Sequence, residues 1–133
     1  MEPQTDIFRT LVENYKDEQQ LSFCNAALAN ADGVQTLFSV ERSSQLASLD
    51  REQLEKTTAS SAILEHQIQT TSFPTLIKKY EITHLDLLIV DTEGFDFEIL
   101  KMAFNSSLPI PRLIRYEHLY LNAADRVSCI NLL

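Results

Sequence analysis

Glycine is nearly missing from this chain: of 133 residues, only Gly33 and Gly94 are glycine. A turn that brings backbone N–H groups and the following helix close to a bound cofactor relies on glycine, and no segment here supplies a glycine-rich one. Cysteine is equally scarce. Cys24 and Cys129 lie far apart, each inside an apolar pattern, which excludes a disulfide framework and a metal-ligand spacing and predicts two core thiols. Basic residues are outnumbered, with 11 Lys and Arg against 19 Asp and Glu and a net charge of -8. Such a chain has no general attraction for phosphate backbones or anionic lipid, so neither nucleic acid nor membrane is expected as a partner. Long apolar runs are missing too: none reaches the roughly 20 residues that span a bilayer. Met1-Glu2-Pro3-Gln4 has neither a basic start nor an apolar stretch, so a cytoplasmic location is expected.

What is present suits one globular domain. Hydrophobic residues make up 44% and charged residues 23%, close to the average for folded soluble chains. Phe8, Leu11, Val12 and Tyr15 recur at helical spacing, which predicts a helix over residues 5–15. Residues 21–29 read as a short buried strand closed by Asp32-Gly33, and 34–40 as its return strand in a hairpin. Residues 41–61 are polar, rich in Ser and Thr, and without sustained periodicity, although 50–56 can form a helical turn or two. This reads as a long surface excursion, a feature more often functional than idle. Residues 63–71 form a further predicted strand, and Pro74 suits the first turn of a short helix ending near Tyr80.

The most apolar run, Leu-Asp-Leu-Leu-Ile-Val at 85–90, stops abruptly at Asp91-Thr92-Glu93-Gly94. That is the profile of a buried parallel strand with polar groups at its tip. Phe95, Ile99, Met102 and Ala103 then predict a returning helix, 112–117 a second strand, and Asn122 with Asp125 a helix start, with Val127, Ile130 and Leu133 on one face. Strands alternating with helices predict an α/β fold with a parallel sheet, whose ligands collect at the carboxyl ends of the strands. Those ends fall at Glu2, at Asn25-Ala26-Ala27, at 91–94 and at Glu117-His118.

The segment LDLLIVDTEGFDFEIL at 85–100 is similar to the signature of FkbM-type methyltransferases, an apolar strand ending in Asp-x-Glu-Gly and leading into a helix with an acidic residue and a Leu. Glu2-Pro3 followed by Phe8, Leu11 and Asn14 resembles that family's second strand and helix. Asn25-Ala26-Ala27-Leu28 with Asp32-Gly33 resembles its third strand and turn, and 112–117 its strand ending in Glu. Residues 71–76, Thr-Ser-Phe-Pro-Thr-Leu, resemble the segment ahead of the signature strand, where the family more usually has Pro before the Thr or Ser. The resemblance implies a Rossmann-like class I methyltransferase sheet, S-adenosylmethionine as cofactor, and O-methylation of a small-molecule or glycan acceptor. The family's glycine turn, Asp-x-Gly-Ala-x-x-Gly, and its last strands have no counterpart in these 133 residues. The expectation is therefore a partial methyltransferase domain over 1–133, truncated at both ends of the sheet, with a surface excursion at 41–62. Alone it is expected to bind cofactor weakly or not at all and to be inactive, with self-association through exposed sheet edges. The alternative is a non-catalytic α/β fragment or interaction module.

Within that resemblance, Glu2 can accept hydrogen bonds from the cofactor ribose, as an acidic residue does in nucleotide-binding α/β folds; otherwise it is a solvated glutamate. Asn25 and Ala26 would lie near the adenine, or serve core packing alone. Asp91 and Glu93 stand at i and i+2 and would point the same way from an extended strand end. They can polarise the acceptor hydroxyl, orient the sulfonium or hold a cation, or instead cap the helix that follows. No metal ligands are assigned, because two carboxylates fall short of a usual set. Glu117 and His118 complete the candidate catalytic group, with His118 as a base or an ordinary surface side chain.

Overall fold

The computed structural model describes residues 1–40, 43–57, 62–107 and 109–133. It is an α/β structure in which the described strands form two sheets: a four-stranded, mainly antiparallel one and a parallel pair. Helix α1 (Thr5–Asn14) is amphipathic as its spacing requires, with Phe8, Leu11 and Val12 half-buried. The predicted face ends a residue early, since Tyr15 is the C-cap and is exposed.

The N-terminal half departs from the expected hairpin. Only β1 (Ala27–Leu28) is extended enough to pair, and it lies parallel to β4 (Ile63–Thr71) in the register Ala27↔Thr70 and Leu28↔Thr71. Strand β2 (Gly33–Val40) runs antiparallel to β4 along its whole length, from Gly33↔Thr70 to Val40↔Ile63, and carries β3 (Ser43–Ser48) on its other edge. The order is β1-β4-β2-β3. Asp32 explains why its turn does not close a hairpin between β1 and β2. Its carboxylate accepts from Ser72 N at 2.8 Å, Thr71 Oγ1 at 3.3 Å and Thr75 Oγ1 at 2.6 Å. The turn is thereby fastened to the end of β4 and the start of helix α3 (Phe73–Lys79), whose N-cap is Ser72 and whose first turn holds Pro74.

The expected surface excursion is partly structured. It supplies β3 and a short helix α2 (Arg51–Thr57), and Ser48 and Leu54 are each only 2% exposed. Residues 41, 42 and 58–61 of that stretch lie outside the described residues.

In the C-terminal half, β5 (Leu87–Val90), α4 (Asp96–Asn105), β6 (Leu113–Tyr116) and α5 (Ala123–Leu132) follow the predicted order. β5 and β6 pair in parallel from Leu87↔Leu113 to Val90↔Tyr116. Leu88, Val90, Ile114 and Tyr116 turn inward onto a core of Ile99, Leu100 and Ala103 from α4 and Cys129 from α5, which Phe73 and Leu121 extend and Leu28 joins. Both cysteines are buried free thiols, as their apolar contexts predict. Burial of β5 is one-sided, however: Leu87 and Ile89 are exposed, as is Leu113 beside them. Helix α5 also differs in its packing face. Leu132 and Cys129 face the core, whereas Val127, Ile130 and Leu133 are exposed. No helix among the described residues is long and apolar enough to cross a membrane.

Candidate carboxylate site at the strand tips

The apolar β5 delivers its last inward residue, Val90, into the core, and the chain then has to turn before α4 begins. It turns through two left-handed residues, Glu93 with φ 53° and Gly94 with φ 102°. Glycine tolerates that conformation and glutamate does so at a cost. Asp91 and Glu93 therefore converge through a left-handed turn and not, as their spacing suggested, along an extended strand end.

Strand β6 ends alongside, and the Glu117 N–H donates to Val90 O at 3.2 Å. This places Glu117 with the first two acids: carboxylate oxygens of Asp91, Glu93 and Glu117 all lie within 4.8 Å of one another. Glu93 Oε2 and Glu117 Oε2 are buried and have no hydrogen-bond partner among the described residues. Burial pushes the Glu93 carboxyl above its ordinary value, and the charges of Glu117, Asp91 and Asp96 add to the effect. Glu117 is also raised, by burial first and then by Asp91 and Asp96, while His118 pulls it down. Three anionic oxygens with two unmet acceptors suit a cationic ligand, a hydroxyl donor or an oxygen-coordinated divalent ion. His118 itself is exposed beside the cluster.

The capping alternative for Asp91 and Glu93 finds little in the geometry. The N-cap of α4 is Phe95, which offers no side-chain cap. The residue that does bond to the turn is Asp96, fully buried at 0% exposure, whose Oδ2 accepts from Thr92 N at 3.3 Å and Thr92 Oγ1 at 2.8 Å. Its Oδ1 accepts from Glu117 N at 3.1 Å. Sequence reasoning missed Asp96. The available signal was the acidic residue inside the helix of the 85–100 segment.

The expected cofactor-binding residues form a second group, but not at strand carboxyl ends as expected: Glu2 lies in no strand, and Asn25 and Ala26 precede β1, because only Ala27–Leu28 of that segment pairs with β4. Glu2 N donates to Cys24 O at 3.0 Å, and the Asn25 amide donates to Glu2 O at 2.8 Å and Pro3 O at 3.2 Å. Glu2 and Asn25 are thus neighbours, although the Asn25 amide is engaged with backbone. Glu2 Oε1 accepts from Gln4 N at 2.7 Å at the entry to α1. Ala26 is buried, at 6% exposure, which fits its packing role.

A cavity of about 650 Å³ opens beside the turn, lined by Phe38, Asp50 and Arg51 on one side and Gly94, Phe95 and Phe97 on the other. Its size lies within the range of small-molecule sites. The β3–α2 stretch therefore faces the turn that carries the carboxylates.

The acidic groups of this α/β chain are gathered at the carboxyl ends of a parallel strand pair, the position where open α/β sheets collect their ligands. Residues 1–127 match the methyltransferase FkbM domain, and the chain belongs to that family of methyltransferases. No curated protein and no solved structure gives a match.

Proposed function

We propose that the chain is the cofactor- and acceptor-facing part of an S-adenosylmethionine-dependent O-methyltransferase, built on a Rossmann-like class I sheet and acting on a small molecule or glycan. The observation that carries this reading is the convergence of Asp91, Glu93 and Glu117 at the tips of two parallel strands, in a chain of a methyltransferase family. The donor set fits the cofactor, since a sulfonium is a cation and these are anionic oxygens, two of them with no partner among the described residues. When bound, S-adenosylmethionine supplies an electrophilic methyl group whose departure leaves a neutral thioether.

The chain's own residues then have three tasks. Asp91 and Glu93 orient the sulfonium end and the acceptor hydroxyl for in-line attack, where positioning carries much of the rate. Glu117 or Glu93 takes the hydroxyl proton as the O–C bond forms, and a carboxyl raised above its ordinary value suits that role better than a normal one. His118 stands at the rim to pass the proton to solvent. Glu2 and Asn25 hold the ribose and adenine side, and the cavity below the β3–α2 stretch receives the acceptor.

The test is methyl transfer from labelled S-adenosylmethionine to hydroxyl-bearing small molecules and glycans by the chain extended with the family's glycine-turn strand, with Asp91→Asn as the key variant. Transfer should fall by a factor on the order of 100 or more while the melting temperature hardly moves. Near-normal turnover in that variant would remove Asp91 from the mechanism. One observation favours the second reading, a non-catalytic α/β module: neither Gly33 nor Gly94 stands in a glycine-rich cofactor turn. Absence of transfer from every donor and acceptor pair would support it.

A further inference from the structure

We propose that Asp96 is a positioning residue, whose buried carboxylate ties the turn after β5 to the tip of β6 and so sets the mutual geometry of Asp91, Glu93 and Glu117. The inference rests on the reading of those three as the reacting site. Asp96 holds two backbone points. One is Thr92, which lies between Asp91 and Glu93; the other is the N–H of Glu117. All three carboxylates of the site are therefore set by residues within one position of an Asp96 hydrogen bond.

Three features separate this role from ordinary helix capping. First, every partner is a donor: Thr92 N, Thr92 Oγ1 and Glu117 N. Only an acceptor-only group satisfies all of them, and an asparagine would turn its own NH₂ toward one. Second, the turn that Asp96 holds contains Glu93 at φ 53°, and a left-handed non-glycine residue persists only where its surroundings over-determine it. Third, a fully buried carboxylate beside other acids is an expensive way to begin a helix, because burying a charge costs free energy unless it is fully hydrogen-bonded. An exposed Asp or Ser at the N-cap would serve α4 at less cost.

The contact also bridges 21 residues of sequence, from β6 to α4. Loss of Asp96 therefore frees the turn after β5 from the tip of β6, although Glu117 N keeps its 3.2 Å bond to Val90 O. The register of β5 on β6 survives; what loosens is the turn that carries Asp91 and Glu93.

The experiment is an NMR titration of side-chain carboxyls in the 133-residue chain, with Glu117→Gln as the probe of coupling. In the otherwise native chain, Glu117→Gln should lower the Glu93 titration midpoint, because the Glu117 charge is one of the groups that raises it. In an Asp96→Asn background the same Glu117→Gln change should leave the Glu93 midpoint where it is, since the two carboxyls no longer face each other. If Asp96 contributes only its charge, the midpoints fall in Asp96→Asn but the Glu117→Gln response persists at its native size, and the proposal is overturned. Should Asp96→Asn fail to fold, Thr92→Val removes one donor to Asp96 and keeps the backbone contact. A reduced response there supports the proposal, and an unchanged one overturns it. No methyl donor or acceptor enters the measurement, so failure of the methyltransferase reading would appear as absent transfer with the coupling intact.

Discussion

At the scale of single residues, Glu93 and Glu117 carry an electrostatic cost that stability measurements can see. Both folded-state carboxyls are raised above the ordinary 4.5, burial being the first cause for each. A raised pKa means that the folded chain holds protons more tightly than the unfolded one. Their contribution is thus fully present below the unfolded value and is lost as pH rises through the folded values. Unfolding experiments between pH 4 and 8 should show stability declining across that upper window. Glu93→Gln, which cannot ionise, should flatten the decline and exceed the native chain in stability at neutral pH. An unchanged pH profile in Glu93→Gln would show that the carboxyl is not held in this cluster. The sequence alone marked Asp91, Glu93 and Glu117, because an apolar run ending abruptly in acids and a strand ending in Glu are visible in one dimension. It did not single out Asp96, whose buried carboxylate accepts from a backbone N–H arriving at the tip of β6. Read locally, an acid in the first turn of a helix is ordinary.

Secondary-structure elements were readable wherever their own side chains alternate or recur, and less so where pairing decides. The periodicity of α1, the apolar run of β5, the Pro74 start of α3 and the Asn122 cap of α5 all sit where the residues place them. Pairing was harder. Asp32-Gly33 reads as a hairpin turn, but Asp32 bonds to Thr71, Ser72 and Thr75, and β2 takes β4 as its neighbour. The stretch after β2 looked featureless because β3 is built of Ser, Gln, Leu and Ala, and α2 presents a single well-buried apolar anchor. That anchor is Leu54, 2% exposed. Leu54→Ala should therefore cost about 2 to 5 kcal/mol, the range for emptying a buried leucine site, and calorimetric melting measures it directly. A loss below about 0.5 kcal/mol, the level of surface substitutions, would mean that α2 is not packed on the sheet.

Across the whole molecule, the described strands fall into two sheets joined through one core, with Leu28 from the first packed against the cluster that holds Val90 of the second. An α/β class was legible from the alternation of elements. A doubly covered β5 was not to be had from composition, because an apolar strand reads the same whether one face or both are packed; here Leu87 and Ile89 face outward. Under the proposed function, two groups of residues, Glu2 with Asn25 and Ala26, and the carboxylates of Asp91, Glu93 and Glu117, serve one cofactor. The measurement that tests this most directly is a backbone NMR titration of the chain with S-adenosylmethionine up to roughly millimolar concentration, where even a dissociation constant near 1 mM gives visible shifts. The account predicts that the chain alone binds weakly or not at all, any perturbations being concentrated at Glu2, Asn25, Ala26 and residues 91–94. Saturation at micromolar concentration, or shifts confined to residues away from both groups, would contradict it.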